Sequence, residues 1–196
     1  MDEEEVKQQV SRAWHRIITA KSITKEEFTT FVDLLAEDVL ADNPAYWKNN
    51  NISEYLTALA SVIKDINRWY QNNNVEILIE PSWRSFALAL HMAGGKDQKS
   101  IPRSVNTKYI SQDEVSDAFD KIATKEDVIG FIALLAEDAI QFPSQWENST
   151  HYRYLEALGR WTESIDGWYK HQNLEVPTEP NWQMFGIILW AAAIYE

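Results

Sequence analysis

Three features of the sequence predict an all-α protein of about eight helices, built as a tandem duplication of a four-helix bundle-like repeat. Blocks of residues recur in one order, at an offset of 100 for the first block and 99 afterwards. Apolar side chains recur three and four apart over long stretches, the spacing of one helical face. Strand-like alternation is confined to Val75–Ile79, and the copy of that segment contains Pro177, so both are expected to be loops.

The recurrence is easily stated. Leu34-Leu35-Ala36-Glu37-Asp38 returns as Leu134-Leu135-Ala136-Glu137-Asp138, and Tyr55-Leu56 with Ala58-Leu59 returns as Tyr154-Leu155 with Ala157-Leu158. Trp69-Tyr70 returns as Trp168-Tyr169, and Glu80-Pro81-Ser82-Trp83 as Glu179-Pro180-Asn181-Trp182. Upstream, Val10-Ser11 with Ala13-Trp14 matches Val115-Ser116 with Ala118-Phe119, which leaves five extra residues in repeat one near Lys21–Ile23. The repeats therefore occupy residues 1–95 and 111–196, and each is expected to form its own small bundle. Residues 96–110, polar, containing Pro102 and without apolar periodicity, read as a linker.

Each repeat resolves into four helices. The first carries Val6, Val10, Ala13, Trp14 and Ile17 on one face. The second opens at Thr24, whose spacing to Glu27 makes a capping box, and should stop before Pro44. The third starts after Asn51, with Ile52, Tyr55, Leu56, Leu59, Val62, Ile63, Ile66 and Trp69 as its stripe. In the copy, Thr150 takes the cap position. The fourth follows Pro81, a favoured first-turn residue, and buries Trp83, Phe86, Ala87, Leu90 and Ala93.

Charge excludes some functions. The net charge is -12, with 30 acidic against 18 basic residues, which disfavours nucleic acid and anionic membrane surfaces as partners. Repeat one carries -5 and repeat two -10, with the linker at +3. The absence of Cys removes disulfides, thiolate metal sites and Cys nucleophiles. The four histidines, His15, His91, His151 and His171, recur at no matching positions and lack metal-ligand spacing on a helix. There is no phosphate-binding glycine loop and no nucleophile elbow. No catalytic, cofactor or metal site is thus expected. The acidic N-terminus and the short apolar stretch Met184–Tyr195 fit neither a signal peptide nor a membrane span, and a cytoplasmic protein is expected.

Two kinds of residue remain as candidates. The repeated pairs Glu37-Asp38 and Glu137-Asp138 are the best acidic ones; with Asp42 the first could serve a Mg²⁺-dependent hydrolase, but repeat two places Ala133 and Gln141 where repeat one has Asp33 and Asp42. The aromatics are the other kind. Trp83 and Trp182 sit at core spacing, whereas in Trp69-Tyr70 and Trp168-Tyr169 neighbours on a helix point about 100° apart, which sends one member outside the stripe. Such an aromatic beside acids resembles a protein-binding hot spot.

The second repeat, through Phe131, Trp146, Asn148, Tyr154-Leu155-Glu156-Ala157-Leu158, Trp168, Pro180, Trp182, Phe185 and Tyr195-Glu196, resembles an uncharacterised family of small acidic all-α bacterial domains. Repeat one departs from it at Thr57 and at Ala93-Gly94-Gly95. Because the shared residues are mostly apolar, the resemblance implies a fold and adds no catalytic residue. The function expected is that of a non-enzymatic acidic binding protein, an immunity-type inhibitor that neutralises a basic toxin or effector. Its contact residues would be Glu137, Asp138, Glu163, Asp166, Trp168 and Tyr169, with Trp69 and Tyr70 as a weaker second contact. The alternative is an adaptor that holds an amphipathic helix or peptide in a groove between the repeats.

Overall fold

The computed structural model describes residues 3–20, 22–40, 47, 51–72, 81–95 and 111–194. Among these residues eight α-helices follow one another: α1 (Glu3–Thr19), α2 (Lys25–Leu40), α3 (Ile52–Asn72), α4 (Trp83–Gly95), α5 (Gln112–Asp120), α6 (Lys125–Gln141), α7 (His151–His171) and α8 (Trp182–Ile194). A 3-10 turn at Pro143–Gln145 joins α6 to α7, and no strand occurs among the described residues. The linker expected over 96–110, the loop at Val75–Ile79, and Asp42 and Pro44 lie outside the described residues.

Local chemistry sets the helix starts. Thr24 accepts from the Glu27 amide at 3.2 Å while Glu27 accepts from the Thr24 amide at 2.9 Å. Thr124 and Asp127 repeat that box at α6, and Ser111 with Glu114 forms another at α5. Asn51 accepts from the Glu54 amide at 2.9 Å, and Thr150 from the Arg153 amide at 3.3 Å. The start of α4 differs from expectation. Pro81 stands before the cap, and Ser82 is the cap, accepting from the Ser85 amide at 3.1 Å. Asn181 does the same for α8, accepting from Met184 at 2.8 Å. Asn173, at φ 56, closes α7 in the left-handed conformation that asparagine tolerates.

Of the five extra residues of repeat one, four extend a helix and one lies in the connection to the next. α1 is 17 residues long against 9 for α5, and continues through Ile17 to Thr19. Its exposed carbonyl end is met by Arg84 of α4, a buried residue whose guanidinium donates to the Ile17 and Ile18 carbonyls, both at 2.9 Å. The repeat-two equivalent of Arg84 is Gln183, which is exposed, and α5 is the shorter helix.

Each repeat was expected to close its own bundle, and the structure instead runs one hydrophobic core through both. The two most extensive helix–helix interfaces cross between repeats: α2 packs on α7, and α3 packs on α6. Within a repeat α1 packs on α2 and α3 on α4, as do α5 on α6 and α7 on α8, whereas α2 and α3 hardly touch. Each repeat's second helix is therefore clasped by the other repeat's third helix. Lys25 of α2 meets Asp166 of α7 at 3.0 Å, and Lys125 of α6 donates to the Lys64 carbonyl of α3 at 3.4 Å, so the two seams follow one pattern.

That pattern is a pseudo-twofold. Phe86 and Phe185, equivalent residues of α4 and α8, are both fully buried and stack with centroids 4.0 Å apart and planes 7° from parallel. Buried Trp83 packs on Phe28 and on Phe86; half-buried Trp182 packs on Phe86. The buried Tyr55 hydroxyl donates to the Leu90 carbonyl at 3.0 Å, and its copy Tyr154 to Leu189 at 2.9 Å, tying third to fourth helix in each repeat. His91 is part of the same scheme. Its ring packs at a tilt on Trp14 at 3.9 Å where the copy packs Trp190 on Phe119 at 4.9 Å, and burial drops its pKa to about 4.

Candidate functional site

The repeated Glu-Asp pairs divide in the structure. Asp38 accepts the Trp47 indole N–H at 2.8 Å, and Asp138 accepts that of Trp146 at 2.7 Å. Both aspartates are buried, and each pins the tryptophan beyond its own helix. Asp138 is therefore no surface contact. The spacing signal was present in both copies, a repeated Asp eight or nine residues ahead of a repeated Trp. Glu37 and Glu137 are half-buried, and Glu137 accepts from Gln141 at 2.7 Å. For a Mg²⁺ hydrolase, the commitment of Asp38 to an indole leaves few free ligands. Among the described residues no group of three or more His, Asp or Glu is placed to hold a metal.

The remaining contact candidates are not brought into one patch. Glu163, Asp166, Trp168 and Tyr169 lie on α7, whereas Glu137 and Asp138 lie on α6, and α6 packs on α3 and not to any extent on α7. Tyr169 is buried and, like Asp138, drops out as a contact; Trp168 is half-buried, with its ring edge-on to Tyr169 at 5.2 Å. One member of this aromatic pair does leave the core, as helical geometry requires. The side chains of Trp69 and Tyr70 lie outside the described residues. Asp166 is engaged with Lys25 across the seam.

What the structure assembles instead is an acidic seam between α2 and α7, with both repeats contributing. Asp33 and Glu37 on α2 face Glu156 and Glu163 on α7, with Arg160 among them. Asp33 fits because its opposite number is Gly159: a Cβ there would come within 2.5 Å of the Asp33 carboxylate. The equivalent residues of the other seam are Ala133 and Ala60, so the volume lost at one position is restored at its partner. Burial, then the charges of Glu163 and Glu156, raise the pKa of Asp33 above its ordinary value. Equivalent positions of the α3–α6 seam hold Thr57, Ser61 and Lys64 in place of Glu156, Arg160 and Glu163. Acids of both repeats, Asp33 and Glu37 from one and Glu156 and Glu163 from the other, thus meet along this seam.

Residues 24–94 and 124–196 each match a family described as of unknown function, DUF7660. The chain belongs to the DUF7660 family. Each match begins at the capping box of the second helix, so the DUF7660 unit comprises α2–α4 or α6–α8, with α1 and α5 outside it. The tandem duplication is therefore two DUF7660 units in one chain. No curated protein and no solved structure matches the chain. Among the described residues no helix is long and apolar enough to cross a membrane.

The DUF7660 seam yields a prediction with a defined sign. A carboxyl whose folded pKa exceeds its unfolded value costs nothing when protonated in both states. The cost appears as pH rises through the unfolded value, near 3.8, and is complete above the folded one. Asp33→Asn is accordingly expected to raise the melting temperature at neutral pH, with the gain fading as pH falls below the ordinary carboxylate range. Thermal melts of both proteins across that range check it; an equal difference at all pH values would contradict the electrostatic cause.

Proposed function

We propose that the protein is a non-enzymatic acidic binding protein of the immunity-inhibitor kind, which neutralises a basic protein partner through the α2–α7 seam. The observation that carries this reading is the gathering of Asp33, Glu37, Glu156 and Glu163 around Arg160, while the sister seam lacks most of these charges. Two copies of one unit have diverged in charge along this seam, where burial and neighbouring acids raise the pKa of Asp33. Residues held against the interest of the fold are characteristic of sites under selection for binding. An acidic surface gives a basic target fast, steered association and competes with its anionic ligand. Half-buried Trp168, beyond Asp166 on the same helix, supplies an aromatic edge to the contact. The adaptor alternative needs an open groove between the repeats, and the packing of α2 on α7 and α3 on α6 takes up that space.

The test compares the chain with a Glu156→Lys, Glu163→Lys double variant, leaving Asp166 intact because its bond to Lys25 is structural. Both are immobilised and exposed to extract of the native host at low and high salt. A basic protein held by the parent at low salt, released by high salt and lost by the variant, whose melting temperature is no lower than the parent's, is the expected result. Reversal of Glu137, on the sister seam, should leave capture intact. Binding indifferent to salt and to both reversals would reject the reading.

A further inference from the structure

We infer that the face formed by the second and third helices of a DUF7660 unit is a homotypic docking surface whose occupant is another such unit, and that this chain is a twofold dimer made covalent. This goes beyond the acidic seam and does not depend on what binds there. The first argument is topological. Within one unit α2 and α3 hardly touch, so a lone α2–α4 unit is an open layer in which neither helix covers the other. Beyond the cover that α4 gives within the unit, the most extensive partner of each lies in the other unit, α7 for α2 and α6 for α3. Val32 of α2, fully buried, lies against Gly159 of α7 on this face.

The second argument is symmetry. In an isologous interface, if residue i of one copy meets residue j of the other, then j of the first meets i of the second, and a residue on the axis meets itself. Phe86 meets its own equivalent, Phe185, face to face. Lys25 reaches the third helix of repeat two at Asp166, and its equivalent Lys125 reaches the third helix of repeat one at Lys64. The self-contact is met by the two phenylalanines, and the lysine contacts are reciprocal helix for helix, Lys64 lying one turn before Asn67, the equivalent of Asp166, as in a dimer joined afterwards by residues 96–110.

The experiment uses the full chain with a protease site placed between residues 96 and 110 and cut in the native state. The halves should remain together as one particle of the uncut mass. They should melt in one transition whose midpoint rises with protein concentration, whereas the uncut chain melts independently of concentration. Halves that part after the cut, folded or unfolded, would overturn the inference. Hydrogen exchange on the uncut chain supplies a second readout that needs no cleavage. The amides of α2, α3, α6 and α7 should share one opening step. Protection of one repeat's helices that survives loss of the other's would also overturn it. Both readouts are indifferent to salt-dependent capture, so this inference and the acidic-seam reading stand or fall separately.

Discussion

Phe86→Ala is expected to destabilise the whole chain by about 3–5 kcal/mol, the range for truncating a fully buried aromatic. The ring stacks on Phe185 at 4.0 Å and touches Trp83 and Trp182, so its loss opens a cavity where both repeats meet. Because the core is shared, one melting transition should move, with no separate transition for repeat one. Phe185→Ala should cost a similar amount. The double variant should cost less than the sum of the two by about 0.5–1.5 kcal/mol, the worth of an aromatic pair beyond its buried area. Denaturant titrations of the four proteins measure all these quantities. Strict additivity would mean that the rings do not stack.

Arg84→Ala is expected to cost roughly 2–5 kcal/mol. Two bonds from a charged donor to buried carbonyls are worth about 1.5–3 kcal/mol each, less whatever water recovers at the vacated carbonyls. The molecule supplies its own control. Gln183 is the repeat-two equivalent, exposed at the end of α8 nearest its cap, and Gln183→Ala should lie within about 0.5 kcal/mol of the parent. Arg84→Lys should recover only part of the loss, since the guanidinium places two donors on two successive carbonyls, of Ile17 and Ile18, in one plane. Hydrogen exchange should show the last turn of α1 opening in the alanine variant while α5 is unaffected.

Much of the fold was legible because it is written twice. Helical stripes and capping residues act over four or five positions, so Thr24 with Glu27 or Asn51 with Glu54 declare a helix start without reference to anything distant. The exchange of partners between repeats was not legible. A stripe such as Tyr55, Leu56, Leu59 and Ile63 states that a face is buried and is silent about what buries it. An apolar face on α2 fits α3 and α7 equally well in pattern, and the choice rests on three-dimensional fit. The acidic seam was partly legible. Counting charge by repeat located the excess on repeat two, yet Asp33 and Glu37 belong to the other repeat, and no one-dimensional count joins them to Glu163. Asp138 misled because a charged residue defaults to the surface, and only the indole of Trp146 makes its burial affordable.

The exchange of partners also fixes a timetable for synthesis. α3 ends at Asn72 and α7, the cover for α2, ends at His171, 99 residues later. At roughly 5–20 residues per second, a ribosome needs about 5–20 s to make that stretch. Throughout this interval α2 and α3 lack the cover of α7 and α6, and Val32 lacks its neighbour Gly159. Contacts so far apart along the chain slow folding further, since the intervening loop must close before they form. A nascent chain in this state is a client for holding chaperones, and on a crowded polysome its nearest available cover is the same face of a neighbouring nascent chain. Yield in the cell should therefore fall when translation of residues 96–171 is slowed, although no residue of the finished protein is altered.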